Sequence, residues 1–218
     1  MPGTFITFEG IDGSGKSTQL RLLNQFLRSH GCNVLLTREP GGTKLGLRLR
    51  EALLDATEEV DPLTELLVFA ADRAQHVRRI VLPALESGEV VISDRYADAT
   101  VAYQGAGRGF PSELIAQIVQ LATGGLKPDL TLLFDVSIED ATARTTRRKF
   151  AARDARDRLD VEDAEFHTRV RDAYLRIAAA EPTRVKVIDT TGPVDRTQQR
   201  VQEVIVAFLK ARGRLKRD

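Results

Sequence analysis

The sequence predicts an α/β fold built from βαβ units, and the arrangement of its apolar residues carries that prediction. Five short, continuous apolar runs are typical of buried parallel strands. They cover residues 5–8, 34–37, 90–93, 130–134 and 185–188. A helix-like stretch separates each run from the next, which is the order expected of strands joined by helical crossovers.

Three helices can be placed between and after these runs. The first follows the opening strand and stops at Gly31, a typical end signal. The second covers residues 63–87 and contains Pro83. A proline at such a position kinks a helix or restarts it. The last helix is predicted over residues 195–212.

Length and composition limit the class of protein. We predict one domain over residues 1–212, with an inserted segment at about 144–158 and a basic tail at 213–218. The net charge of +1 argues neither for nucleic acid nor for a membrane surface as a partner. No apolar run approaches the ~20 residues of a membrane span. The single cysteine, Cys32, excludes an intrachain disulfide and is expected to begin a strand. With no charged leader before "TFITFEG", this predicts a cytoplasmic protein.

The segment "FEGIDGSGKSTQ" contains the pattern G-x-x-x-x-G-K-[ST], formed by Gly10, Gly15, Lys16 and Ser17. The glycines let successive backbone N–H groups point at one place, and the helix that follows adds its positive N-terminus. Lys16 can reach the β- and γ-phosphates, and Ser17 offers a hydroxyl to Mg²⁺. A plain glycine-rich turn is the alternative. The apolar strand before the loop and the amphipathic helix after it favour a nucleoside triphosphate site.

Chain length and missing motifs narrow the kind of P-loop protein. A GTP-dependent switch would carry the guanine-reading pattern N-K-x-D after a late strand, and "LLFDVS" is not followed by one. A large ATPase of the AAA or transport type would need a longer chain. A small phosphotransferase remains, with its acceptor site elsewhere in the sequence.

Charged residues follow two neighbouring predicted strands. Arg38 and Glu39 follow the second run, and Asp94 and Arg95 follow the third. Ligands of open α/β sheets bind at the carboxyl ends of the strands. Asp94 has the position of a Walker-B-like carboxylate near Mg²⁺, and Arg95 can hold a phosphate with two parallel N–H bonds. A plain turn at residues 38–39 and a local ion pair at residues 94–95 are the alternatives.

Four further segments complete an ordered set with the P-loop: "TREPGGT", "LLVFAADRAQHV", "SDRYADATVAYQGAGRG" and "DRLD". The set resembles the bacterial thymidylate kinases and runs from about residue 4 to about residue 191. The resemblance implies a three-layer P-loop kinase fold, in which helices flank a five-stranded parallel sheet and a short basic lid is inserted. It also implies that ATP phosphorylates dTMP to dTDP with Mg²⁺, in a homodimer.

The resemblance also implies which residues bind each substrate. Those assigned to ATP are Gly10, Ile11, Asp12, Gly13, Ser14, Gly15, Lys16, Ser17, Thr18 and Arg144. Those assigned to dTMP are Asp12, Arg38, Pro40, Phe69, Arg73, Arg95, Thr100, Tyr103 and Gln104. Ser17 and Asp94 are the metal ligands.

Within the acceptor set, Phe69 and Arg73 share a helix face because they lie about one turn apart. A phenylalanine on a helix is otherwise usually a core residue, but in this family the two look like the thymine stack and the donor to its O4. Tyr103 looks like the residue that closes over the sugar and leaves no room for a 2′-hydroxyl. Thr100 and Gln104 look like contacts to the base edge. The family often has Ser-Ser where this chain has Ala-Thr, so one hydroxyl is lost.

A catalytic arginine is expected in the inserted segment, because the P-loop itself carries none. We refer to residues 144–158 as the lid segment. Arg144, just past a predicted helix start, resembles a residue that stacks on adenine. The candidates for contact with the transferred phosphoryl group are Arg147, Arg148, Arg153 and Arg156, and Arg153 is favoured among them. The predicted catalytic set is Lys16, Arg95, Arg153, Arg147 and Arg148. A solvated, charged helix face is the alternative.

Other functions stay open from the sequence. Another nucleotide kinase or a deoxynucleoside kinase would differ only in the acceptor. An ATP-gated regulatory module would bind nucleotide without turnover, although the acceptor residues argue against it. Nucleic acid binding is not expected, because it would rest on the lid segment and the tail alone. The three histidines lack metal-ligand spacing and are expected to be structural or solvated.

Overall fold

The computed structural model describes residues 3–54, 59–152 and 162–215, with backbone only for residues 148–152. Its centre is a parallel sheet of five strands in the order β2-β3-β1-β4-β5. The strands are β1 (Thr4–Glu9), β2 (Val34–Arg38), β3 (Val90–Asp94), β4 (Leu130–Asp135) and β5 (Val185–Asp189). The predicted fold class is therefore confirmed.

Helices and two π-helical segments, π1 and π2, surround this sheet. In chain order they are α1 (Lys16–Ser29), α2 (Lys44–Leu54), α3 (Pro62–His76), π1 (Val77–Val81), α4 (Leu82–Glu86), α5 (Ala97–Thr100), π2 (Val101–Gly107), α6 (Ser112–Thr123), α7 (Ile138–Ala152), α8 (Ala164–Ala180) and α9 (Val194–Ala211). Within the described ranges, no helix is both long enough and apolar enough to cross a membrane.

The predicted second helix is three consecutive segments, α3, π1 and α4. Asp61 caps its start by accepting hydrogen bonds from the N–H groups of Leu63 and Thr64. Pro83 stands in the first turn of α4, directly after the π-helical turn. Because proline has no N–H to donate, it is accommodated where the helix restarts. The structure thus selects the restart over the kink.

The core lies on both faces of the sheet. On one face, Leu23 of α1 and Val201 and Ile205 of α9 pack against Ile6 of β1. On the other face, Val81 of π1 and Tyr174 of α8 belong to two further clusters that pack against the strands. The helices and the sheet therefore form three layers.

Three local expectations are corrected by the structure. Cys32 lies two residues before β2 and not in it, because its N–H bonds to the Leu27 carbonyl in the turn that ends α1. The expected tail joins the domain at its first residues: Leu215 is buried in the core, and Arg214 donates to the Gly88 carbonyl. The helix that enters the lid segment begins at Ile138, so Arg144 lies nearly two turns inside it.

Candidate active site

The predicted phosphate-binding loop connects β1 to α1 at the carboxyl edge of the sheet. Gly10 and Gly13 have φ angles of 133° and 81°, a region that favours glycine. A Cβ at Gly13 would also clash with the carbonyl oxygen of Ala141 on α7. The loop therefore needs glycine both for its turn and for its close packing on the helix that enters the lid segment.

Lys16 is buried within this loop. Its Nζ donates to the carbonyl oxygens of Gly10 at 2.9 Å and Ile11 at 2.8 Å. Burial, and then the nearby Arg95, lower the pKa of Lys16 to about 8. An anion placed at the loop would raise that pKa again and favour the ammonium form. Ser17 and Thr18, which follow on the first turn of α1, are exposed.

Asp94 ends β3, where it pairs in register with Phe8 on β1 and with Arg38 on β2. Its Oδ1 is buried and has no hydrogen-bond partner. Such an oxygen is rare in a folded protein and suits a cation, and hard cations such as Mg²⁺ prefer oxygen ligands. The Asp94 carboxylate therefore fits the predicted magnesium site.

Arg95 follows with a φ angle of 69°, which is uncommon for a residue other than glycine and typical of functional sites. Its Nη2 donates to both carboxylate oxygens of Asp12, at 3.0 Å each, and to the Tyr103 hydroxyl at 3.1 Å. Its guanidinium carbon also lies 4.9 Å from the centre of the Tyr103 ring. An arginine at the sheet edge is thus tied to the P-loop through Asp12.

Glu9, the last residue of β1, holds the residues around Arg95 in place. This role was not predicted from the sequence. Its Oε1 accepts the Tyr96 N–H at 2.7 Å, directly after Arg95, and its Oε2 accepts the Tyr174 hydroxyl at 2.8 Å. Burial, and then the nearby Asp98, raise the pKa of Glu9 to about 8. The one available signal was a glutamate at the end of an otherwise apolar strand.

Beside the loop lies a cavity with an empty volume of about 610 Å³, which we call the acceptor cavity. Its lining residues are Asp12, Glu39, Pro40, Arg50, Leu54, Phe69, Asp72, Arg73, Arg95, Ala99, Thr100, Tyr103 and Gln104. Eight of the nine residues predicted to bind dTMP are among them. Arg38 is the exception: it is exposed, because successive residues of an extended strand face opposite sides, and the buried Glu39 faces the cavity instead.

Arg73 is held rigidly in the wall of this cavity. Its Nε donates to Glu39 at 2.7 Å, its Nη1 to Thr100 at 2.7 Å and its Nη2 to the Tyr96 carbonyl at 2.9 Å. Its remaining N–H groups can meet a ligand. His76 bonds to the other oxygen of Glu39, so this histidine has a structural role, as expected.

The lid segment is covered only in part. Arg144 donates to the Thr190 carbonyl at 2.8 Å, which fixes it at the end of β5. Arg147 is exposed on α7. The side chain of Arg148, and all of Arg153 and Arg156, lie outside the described residues, as does the segment "DRLD".

The fold and the loop define the chain as a P-loop phosphotransferase of the α/β class, with a cavity beside the phosphate-binding loop. A family model described as thymidylate kinase matches residues 8–201. A thymidylate kinase from Deinococcus radiodurans is 49% identical over 199 residues, which is 91% of this chain and 94% of that protein. One from Pelobacter propionicus is 47% identical over 207 residues, covering 94% and 93% respectively.

A solved structure gives the same result. The crystal structure of thymidylate kinase from Ehrlichia chaffeensis has a TM-score of 0.76 and 39% sequence identity, and the match covers 94% of this chain and 100% of that one. The chain belongs to the thymidylate kinase family. The resemblance drawn from the ordered motifs is thereby confirmed.

Proposed function

We infer that the chain phosphorylates dTMP to dTDP, with ATP as the phosphoryl donor. The observation that carries this function is the position of the acceptor cavity. It shares Asp12 with the phosphate-binding loop, and it is lined by most of the residues predicted to bind dTMP. The family match over residues 8–201 supports the same reaction.

For the donor, we assign the triphosphate to the loop from Gly10 to Thr18 and adenine to the neighbourhood of Arg144. The backbone N–H groups of the loop and the start of α1 would bind the phosphates, with Lys16 as a mobile charge. Ser17 and Asp94 would hold Mg²⁺, which supplies positive charge to the phosphates. The unpartnered Oδ1 of Asp94 supports this assignment.

For the acceptor, we assign thymine to Phe69, Arg73, Thr100 and Gln104, with Pro40 beside the base. Tyr103 would close over the sugar, Asp12 would lie near its 3′-hydroxyl, and Arg95 would hold the phosphate. The exposed Arg38 is not included in this assignment.

Catalysis then rests on positioning and charge, because phosphoryl transfer requires little covalent work from a protein. Lys16 and Arg95 would supply charge from the part of the site that the structure describes. A lid arginine would supply the rest, with Arg153 ahead of Arg147 and Arg148. Excluding water from the closed site would protect ATP from hydrolysis.

We further propose that two copies form a homodimer in the cytoplasm. Large apolar side chains are exposed on three helices that pack side by side, α2, α3 and α6. Leu67 and Leu121 are 52% and 77% exposed, for example. A second copy would cover this face. Sedimentation should show a dimer for the native chain and a monomer for Leu67→Glu. A native chain that sediments as a monomer, like the variant, would contradict the proposal.

Coupled ADP release with dTMP, dUMP, UMP, CMP, AMP and thymidine as acceptors tests the function. We expect dTMP to give the highest kcat/KM. Preferred turnover of thymidine would identify a nucleoside kinase. Tight ATP binding without acceptor-stimulated ADP release would identify a regulatory module.

A further inference from the structure

Gln104 lines the acceptor cavity and is tied from behind to a buried glutamate. Its Nε2 donates to Oε1 of Glu65 at 2.8 Å. Glu65 is fully buried, and Gln104 is 2% exposed. The two residues come from different elements, α3 and π2, so this contact is made only in the folded chain.

Arg108 completes the cluster. Its Nε donates to Oε1 of Glu65 at 3.2 Å, and its Nη2 donates to Oε2 at 2.9 Å. The Arg108 guanidinium also stacks on the Phe166 ring, 4.8 Å from its centre. A buried carboxylate needs such a charged partner, and the two parallel bonds favour its ionised form.

The charge of Glu65 decides which way the Gln104 amide points. An ionised carboxylate can only accept hydrogen bonds, so it can bond the NH₂ group of Gln104 but not its oxygen. The amide is therefore fixed with its nitrogen toward Glu65. The carbonyl oxygen is the group left to meet a ligand in the cavity.

We propose that the Glu65–Arg108 pair sets base specificity by holding Gln104 as a hydrogen-bond acceptor, an inference that rests on the proposed function. The N3–H of thymine or uracil donates to such an acceptor. The N3 of cytosine is itself an acceptor and would face the Gln104 oxygen without a proton between them. Glu65 is thus a positioning residue, because it acts through Gln104.

The experiment compares dTMP with 5-methyl-dCMP, which keeps the methyl group and the sugar and changes only the donor and acceptor pattern of the base. Steady-state kinetics are measured for the native chain, Glu65→Gln, Gln104→Ala and the double variant. Glu65→Gln has the same shape but no charge, so it lets the Gln104 amide take either orientation.

In Glu65→Gln we expect the KM for dTMP to rise about tenfold, as for loss of one well-placed hydrogen bond, with kcat little changed. The preference for dTMP over 5-methyl-dCMP should narrow. In the Gln104→Ala background, Glu65→Gln should raise the KM for dTMP by less than about a further twofold, because no amide remains to be oriented. Additive effects, or an unchanged preference, would overturn the proposal.

Glu162→Gln is the matched control. Glu162 bonds the same Nη2 of Arg108 at 2.6 Å but is partly exposed, and it is linked to Gln104 through Arg108 and Glu65. It should leave the preference between the two substrates unchanged. Thermal unfolding shows whether each variant folds. If Glu65→Gln does not fold, Glu65→Asp takes its place. The shorter side chain keeps the charge but moves it away from Gln104, so the preference for dTMP over 5-methyl-dCMP should again narrow.

The two hypotheses fail differently. If the native chain does not phosphorylate dTMP, the proposed function is wrong. If it does, but the two changes are additive, only the role of Glu65 is wrong.

Discussion

Replacing Glu9 with glutamine would remove a buried titratable carboxyl group with little change of shape. The glutamine oxygen can still accept the Tyr96 N–H, and its NH₂ group can donate to the Tyr174 hydroxyl, which then serves as the acceptor. What is lost is the titration of the carboxyl group. The carboxyl group is buried close to Asp98 and Arg95. The substitution therefore measures how the ionisation of this buried group changes the free energy of unfolding.

The size of the effect follows from the pKa of Glu9, which is raised from 4.5 to about 8. One pKa unit corresponds to about 1.36 kcal/mol, so the full shift is worth on the order of 5 kcal/mol. The folded state binds the proton more tightly than the unfolded state. This contribution to stability is therefore fully present below pH 4.5 and is lost as the pH rises to about 8.

Urea unfolding at several pH values between 5 and 7.5 tests this reasoning. As the pH rises, the native chain should lose stability that Glu9→Gln keeps. The free energy of unfolding of Glu9→Gln should therefore increase relative to that of the native chain by up to about 1.4 kcal/mol per pH unit. Lys16, whose pKa is lowered to about 8, contributes with the opposite sign and mainly above that range. Glu113→Gln, an exposed glutamate at the start of α6, controls for the substitution itself. Parallel curves for Glu9→Gln and the native chain would refute the assignment of a buried, protonated Glu9.

Three further predictions concern substrate binding and catalysis. Arg73→Ala should raise the KM for dTMP at least about tenfold with little change in the KM for ATP. It should also lower stability, because Glu39 loses one of its two buried partners and keeps only His76. Equal effects on both KM values would point to misfolding instead. Tyr103→Ala should lose the preference for dTMP over its ribose counterpart while Tyr103→Phe keeps most of it, and a Tyr103→Ala variant that discriminates like the native chain would exclude the steric explanation. At least one Arg→Ala change among Arg147, Arg148, Arg153 and Arg156 should lower kcat more than about a hundredfold, as for an arginine finger, with little change in the KM for dTMP; a quadruple variant within about tenfold of native kcat would remove the lid segment from the mechanism.

All five strands could be predicted from the sequence, and each extends at least one residue further in the structure. The additional carboxyl-terminal residues are polar: Glu9, Arg38, Asp94, Asp135 and Asp189. An apolar run ends where the side chains become polar, but the backbone hydrogen bonds of the sheet continue past that point. These additional residues lie at the carboxyl edge of the sheet, where ligands of open α/β sheets bind and polar side chains are needed to contact them.

The residues proposed to contact substrate could be found because motifs fix them. The buried residues that hold those side chains in position could not be predicted from the sequence. Glu65 and Asp72 lie in a helix whose pattern alone would place them in solvent, and Glu9 ends a buried strand. Their partners are distant in sequence, since Glu65 bonds Gln104 and Arg108 while Glu9 bonds Tyr96 and Tyr174. Such pairs have no local periodicity, so their burial is visible only once the helices are packed.

Asp12 presents a problem that the structure resolves. A carboxylate in a phosphate-binding loop repels the ligand that the loop binds, and a neutral residue would avoid that repulsion. Arg95 offsets the charge by donating to both carboxylate oxygens, and Asp12 in turn fixes Arg95 where it lines the acceptor cavity. The pair therefore joins the phosphate-binding loop to the wall of the cavity. If Arg95 holds the acceptor phosphate, the distance between the two substrates depends on one ion pair, and weakening that pair should disturb the alignment needed for transfer more than the binding of either nucleotide.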